Sequence, residues 1–288
     1  MSAVLSISAV QLSAPSRRQR DVLPGLTLTL GWTLFWLALI VLLPLGALFG
    51  KAATLGFDGL YDALSAPRVR AALALSFSSA LIAAGVCAVF GLLIAWVLKR
   101  YRFPGRGLLD ALVDLPIALP TAVAGIALTA LYAPKGWLGA PLLEYGIKVA
   151  YTPLGIVVAL IFVGLPFVVR TLQPVLEELE REQEEAAATL GAGPLRIFIK
   201  VTLPALLPAW LTGTTLAFAR AVGEYGSVIF IAGNIPMVSE IAPLLIVSKL
   251  EQFDYAGATA IACAMLTVSF LLLLPLNWLQ GRLVRPVH

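Results

Sequence analysis

Residues 184–194 read Glu-Glu-Ala-Ala-Ala-Thr-Leu-Gly-Ala-Gly-Pro, EEAAATLGAGP, and they overlap the end of a run dense in carboxylates at 177–185, EELEREQEE. In a chain of average composition this would be one more charged surface helix. Here the chain is 60% hydrophobic and only 12% charged, with mean hydropathy +0.94. Soluble domains carry about 25% charged residues. The acidic stretch is therefore an exception within its own chain, and its meaning depends on the apolar segments around it.

Working outward, apolar runs near or above ~18 residues recur, each long enough to cross a bilayer core. Six spans are predicted: Leu28–Phe49, Ala71–Leu98, Leu108–Tyr132, Pro153–Leu172, Leu206–Ile231 and Ala256–Leu279. Each must be helical, because lipid offers no partner to an exposed peptide group. The fold class is all-α, a polytopic membrane protein. Arg17, Arg18, Arg20, Lys99, Arg100, Arg102, Arg106, Arg170, Arg181, Arg196, Lys200, Arg282 and Arg285 fall on one side of these spans. Only Lys51, Arg68, Arg70, Lys135, Lys148 and Lys249 fall on the other. The positive-inside bias then puts both termini and the acidic loop in the cytoplasm; acidic residues contribute little to that rule.

The first twenty residues place their basic cluster after a weakly apolar stretch, the reverse of a secretory signal. Residues 1–24 are predicted to be a cytoplasmic tail that stays attached. Residues 25–288 form the membrane domain, with a cytoplasmic loop at 173–205. Spans one to three and four to six share no motif, which weighs against a carrier built from duplicated halves.

Several chemistries are disfavoured. Cys87 and Cys263 sit inside apolar spans and read as small packing residues. The one histidine is His288, the last residue, so no metal site and no catalytic residue is predicted. A net charge of +4 is no nucleic-acid signal when the basic residues flank membrane spans. No GxxxxGK[ST] phosphate loop occurs.

Within the loop, Val175 to Leu190 is predicted as one helix, with Pro174 in its first turn and Glu177, Glu178 and Glu180 early, where carboxylates favour the dipole. Gly191 suits a left-handed cap, and Gly193-Pro194 turns the chain into LRIFIKV, residues 195–201. An alanine-flat face ringed by carboxylates fits docking of another protein. A solvated surface helix fits the same residues.

Inside the membrane Arg220 and Glu224 are four residues apart and can pair on one helix face. Counted from Leu206, Arg220 lies roughly 20 Å along the helix, where a charge costs at least ~2.5 kcal/mol. Two readings stand. Arg220 lines an anion path with the hydroxyls of Thr212, Thr214, Thr215 and Ser227, tuned by Glu224; or the pair braces helices or subunits. Pro116 and Pro120 are expected to kink span three. Asp110 and Asp114 are expected to partner Arg100, Arg102 and Arg106. Gly233-Asn234-Ile235-Pro236 is turn chemistry, and Ile241–Leu250 is apolar but too short to cross.

The spacing Glu185-Ala186-Ala187, three residues, Gly191, nine residues, Val201-Thr202-Leu203-Pro204 resembles the EAA signature of ABC importer membrane subunits. Val201 stands where that pattern usually has isoleucine. The stretches 114–139, 216–236 and 240–262 are similar to sulfate/thiosulfate importer permeases of the T type, over roughly residues 25–285. Arg220-Ala221-Val222-Gly223-Glu224-Tyr225-Gly226 is shared with molybdate permeases. The resemblance implies the type I importer permease fold and a coupling helix in which Glu184, Glu185, Ala186, Ala187, Gly191, Leu203 and Pro204 dock onto an ATPase. It implies as partners a homologous W-type permease, two ATP-binding cassette subunits that use ATP and Mg, and a periplasmic sulfate/thiosulfate-binding protein. It implies no cofactor bound by this chain, and a bacterial inner membrane. Glu240, Glu251 and Asp254 would be contacts for the binding protein. A molybdate or tungstate permease, and an ion-coupled anion carrier, are the alternative readings.

Overall fold

The computed structural model describes residues 25–179 and 181–283, and all its regular structure there is helical. The predicted tail at 1–24 lies outside the described residues. Five helices are long and apolar enough to cross a membrane, or six when one sharply bent pair is taken as a single span. Contacts divide the chain into two units, Met1–Leu48 and Phe49–His288.

The first unit holds most of α1, Leu26–Ala53, which includes a π-helical turn at Ala38–Leu42. Leu28, Trp32, Ile40 and Leu43 are all exposed on it. A helix apolar on every side is suited to a lipid environment.

The second unit begins with α2, Gly56–Ser65, and α3, Pro67–Arg100. Then come α4, Arg106–Ala118, α5, Thr121–Tyr132, and a short α6, Gly139–Glu144. The next helices are α7, Pro153–Glu178, α8, Arg181–Thr189, and α9, Pro194–Val222. The last are α10, Val228–Ile231, α11, Ala242–Glu251, and α12, Tyr255–Leu283.

The centre is made by α3, α7 and α9. Lipid gives no hydrophobic drive between helices, so close packing of small residues has to hold them. The inward face of α3 is Ala80, Ala83, Ala84, Cys87, Ala88, Gly91 and Ala95, all buried. Gly91 and Gly213 bracket Val168 of α7: a Cβ at Gly91 would lie 2.7 Å from the valine Cβ, and one at Gly213 would lie 2.9 Å from its Cα. The Trp210 indole N–H donates to the Ala88 carbonyl at 2.8 Å, joining α9 to α3.

Three predicted elements come out differently. Span three bends as its prolines led us to expect, but more sharply than a kink and at only one of them: α4 and α5 meet at a 114° bend. Pro116 stays inside α4, whereas Leu119, preceding Pro120, is extended at φ −80°, ψ 138°, the region to which a following proline restricts a residue. Span five, predicted to reach Ile231, ends as a helix at Val222; Gly223–Ser227 leaves the helix before α10 resumes. The helix predicted over Val175–Leu190 is divided. Its first part continues α7 straight through Pro174 to Glu178, because Leu172, Gln173 and Leu176 are buried and hold the turn. The chain is extended at Leu179 before α8 begins.

Candidate functional site

The sequence EEAAATLGAGP becomes α8 and its exit. Glu182 and Glu184 occupy the first turn, where carboxylates complement the helix dipole. Gly191 takes φ +82°. Its N–H donates to the Ala188 carbonyl at 2.9 Å and the Ala192 N–H to the Ala187 carbonyl at 3.1 Å, the two bonds of a Schellman cap. Pro194 then opens α9 at a position where no N–H is needed.

The two adjacent glutamates part company. Glu184 turns inward, and its Oε1 accepts from Arg100 Nη2 at 2.7 Å and from the Thr202 hydroxyl at 3.0 Å. Arg100 lies over the Trp96 ring at 5.1 Å, and Trp96 meets Phe198 edge-on. Lys99 pairs with Glu177 alongside. Glu184 therefore tethers α8 to the ends of α3 and α9. Glu185, Ala186, Ala188 and Pro204 are exposed, Ala187 and Leu203 are half-buried, and Leu190 and Leu195 stand out at 88% and 72% exposure. The module presents an apolar and acidic outer surface on a braced base. Arg100 was expected to meet Asp110 and Asp114, and Thr202 stood in the signature without a role; that both converge on Glu184 was not foreseen, since the Arg100–Glu184 pair spans 84 positions and no local pattern announces it.

The intramembrane candidates do not form one cluster. Arg220 and Glu224 are paired, but Glu224 lies past the helix end, in the break. The Thr212, Thr214 and Thr215 hydroxyls donate to the carbonyls of Pro208, Trp210 and Leu211, within α9 itself. Thr215 also accepts from Gln280 of α12 at 2.8 Å. Ser227 is fully buried and donates both its N–H and its hydroxyl to Glu224 Oε1, at 2.9 Å each. Of the hydroxyls named with Arg220, that of Ser227 thus serves Glu224, and the three threonine hydroxyls spend their protons on carbonyls of their own helix.

Two other expectations are corrected. Asp110 and Asp114 meet Arg170 of α7, not Arg100, Arg102 or Arg106. Arg170 Nε donates to Asp114 Oδ1 at 2.6 Å and its Nη1 to Asp110 Oδ1 at 2.9 Å, while Gln173 Nε2 reaches the same Asp110 oxygen at 2.8 Å. Glu240 is not a surface residue. It is buried, held by Arg68 Nε and Nη2 at 2.7 Å each. Asp254 accepts from Lys249 Nζ and from the Gly257 N–H, both at 2.8 Å. The lysine bond, then the backbone bond, hold its carboxyl below the usual carboxylate range. Glu251 is exposed. Among the described residues no group of three His, Cys, Asp or Glu is placed to hold a metal ion.

Comparison with known proteins places this architecture. The chain is 52% identical over 276 residues to the sulfate transport system permease protein CysT of Salmonella typhimurium, covering 96% of this chain and 99% of that one. The Escherichia coli protein of the same description is 52% identical over 268 residues, covering 93% and 97%. A probable sulfate transport system permease of Nephroselmis olivacea is 54% identical over 249 residues, covering 86% and 88%. Among solved structures, a bacterial alginate ABC transporter in complex with an alginate pentasaccharide-bound periplasmic protein matches with TM-score 0.75 at 16% identity, covering 90% of this chain and 95% of that one; at that identity the likeness concerns the fold alone. Residues 87–288 match the family described as binding-protein-dependent transport system inner membrane component. The chain belongs to that family of multi-pass inner-membrane proteins, as a sulfate ABC permease of the CysT type with the type I importer fold.

Proposed function

We propose that this permease is one of two membrane subunits of an ATP-driven importer for sulfate and thiosulfate, and that α8 is the helix through which an ATPase partner drives it. The observation that carries this reading is the braced module. Glu184 is committed inward to Arg100 and Thr202, while Glu185, Leu190 and Leu195 are left facing out. A helix tied to the ends of both α3 and α9 transmits a displacement to two spans at once. Its exposed apolar residues are rimmed by carboxylates, a surface that suits a groove with basic edges.

The remaining assignments follow from the same family logic. The second membrane subunit is a homologous W-type permease, two ATPase subunits bind ATP and Mg, and a periplasmic binding protein delivers the anion. The host is a bacterial inner membrane. The family description names binding-protein dependence, and one fold relative was solved with a periplasmic protein, which supports that partner class. This chain contributes the path and the docking helix, and ATP hydrolysis belongs to the partners.

The test is sulfate uptake and ATPase activity of the complex purified from native membranes, with Glu185→Lys and Gly191→Val. Gly191 at φ +82° makes valine strained there by about 1–2 kcal/mol, disrupting the exit of α8 without touching the spans. Both variants are expected to insert, yet to lose uptake while sulfate no longer stimulates the ATPase. Unchanged uptake in both, with the ATPase still bound, would remove α8 from the mechanism. Competition by unlabelled thiosulfate in the same uptake assay tests the second substrate.

A further inference from the structure

The two broken spans meet at their breaks. A Cβ on Gly125 of α5 would stand 2.8 Å from the Ser227 Cα, and one on Gly226 would stand 3.1 Å from Thr121 Cβ and 3.4 Å from Ala122 N. Backbone from the α9–α10 break is thus in direct contact with the first turns of α5, just beyond the α4–α5 bend. Only glycine allows such an approach at these two positions.

At this junction the ion pair is unequal. The Glu224 side chain is 1% exposed and the Arg220 side chain 34%. Glu224 Oε1 is occupied by two donors, the N–H and hydroxyl of Ser227, and its Oε2 takes Arg220 Nη1. The guanidinium is therefore held through one nitrogen. Among the described residues it has no other hydrogen-bond partner, and the side chain is 34% exposed, so its second amino group and its Nε–H remain available to a further acceptor. A planar guanidinium presents these as a fork that matches two oxygens of a tetrahedral oxyanion. A carboxylate that shares its charge among three donors tempers the arginine's field without cancelling it. That meets the requirement that an ion be bound strongly enough to enter a path and weakly enough to leave.

We propose that the remaining donor edge of Arg220, at the junction of the two broken spans, is the contact this permease makes with its dianionic substrate during passage, and that Glu224 and Ser227 are its positioning residues. This rests on the transport reading above. It also reassigns Ser227, which serves the carboxylate and not the anion. Thr212, Thr214 and Thr215 take no part.

The test uses the whole complex in native membrane vesicles, with labelled sulfate and ATP, comparing wild type, Arg220→Gln, Arg220→Lys, Glu224→Gln and the double variant Arg220→Met/Glu224→Gln. Copurification of the second permease and the ATPase is the assembly readout. Arg220→Gln is expected to assemble and to lose more than about tenfold in maximal uptake. Arg220→Lys keeps the charge without the fork and is expected between the two. Glu224→Gln, which leaves the arginine untempered, is expected to lower the KM for sulfate while also lowering maximal uptake, the signature of slow release. A brace alone would not produce that split. The double variant leaves no unpaired buried carboxylate and keeps an amide oxygen at position 224 for the two Ser227 donors, so it separates folding from transport; it is expected to assemble and not to carry sulfate. A double variant that carries sulfate normally, or one that fails to assemble, overturns the proposal in favour of a bracing pair. Failure of the wild type to carry sulfate in the same vesicles would instead overturn the transport reading itself.

Discussion

Glu184 offers a magnitude that can be worked from distances. Its Oε1 accepts from Arg100 at 2.7 Å and Thr202 at 3.0 Å. Hydrogen bonds to a charged group contribute ~1.5–3 kcal/mol when shielded, and exposed ion pairs only ~0.2–1 kcal/mol. The Glu184 side chain is 23% exposed and that of Arg100 11%, which places the pair nearer the shielded case. Both bonds end on one oxygen and are not additive. Glu184→Ala is therefore expected to cost about 2 kcal/mol in the docking of α8. At 1.4 kcal/mol per tenfold, the open population of α8 should rise ~30-fold. Amide hydrogen exchange read by mass spectrometry over residues 181–190 measures this directly, since local opening sets the rate. Exchange over α7 should stay unchanged. Thr202→Val, removing one of the two donors, should give a smaller rise in the same peptide. The reasoning is refuted if Glu184→Ala changes exchange in α8 by less than about threefold, or if α7 loosens equally.

Other perturbations separate packing from charge. Gly91→Ala would drive its methyl against Val168 Cβ and Cγ1, both at 2.7 Å; overpacking of this kind costs ~1–3 kcal/mol, and Val168→Ala in the same chain, which removes the Cγ1 contact but keeps the Cβ, should recover only part of the lost thermal stability. Arg68→Met would strand the buried Glu240 carboxylate, at ~3–5 kcal/mol, whereas Arg68→Met/Glu240→Met should be far milder in the same unfolding assay. Asp254 has its folded pKa depressed, so its stabilisation is fully present above the unfolded value of about 3.9 and is lost as pH falls through the lower folded value. The stability difference between wild type and Asp254→Asn should be flat above about pH 4 and shrink below it; a difference that grows on acidification would contradict the Lys249 and Gly257 bonds.

The local chemistry of the acidic module was legible before any coordinates. Gly191 forms the cap its type suggests, with φ +82°, because few side chains tolerate that geometry. Pro120 breaks its span because a ring at one position restricts the residue before it. Pro174 shows the limit of such reading: it carries the same local rule, yet α7 runs through it since its neighbours Gln173 and Leu176 are buried. Partner identity was harder still. Asp110 and Asp114 have several arginines near them in sequence, but the one they meet, Arg170, lies 60 and 56 positions away.

What the sequence determined by itself was everything set by transfer from water and by backbone stereochemistry. The lengths of the apolar runs demand spans, and the absence of water in lipid demands helices. Gly191 and the carboxylates before it mark the end of α8 and its cap. Only the tertiary structure decided which glutamate of the adjacent pair turns inward, that Glu240 is buried, that the two broken spans touch, and that the threonines of α9 bond their own helix. Those outcomes depend on contacts between residues far apart in the chain. Many side chains can satisfy the same charge or hydroxyl locally, and packing alone selects among them.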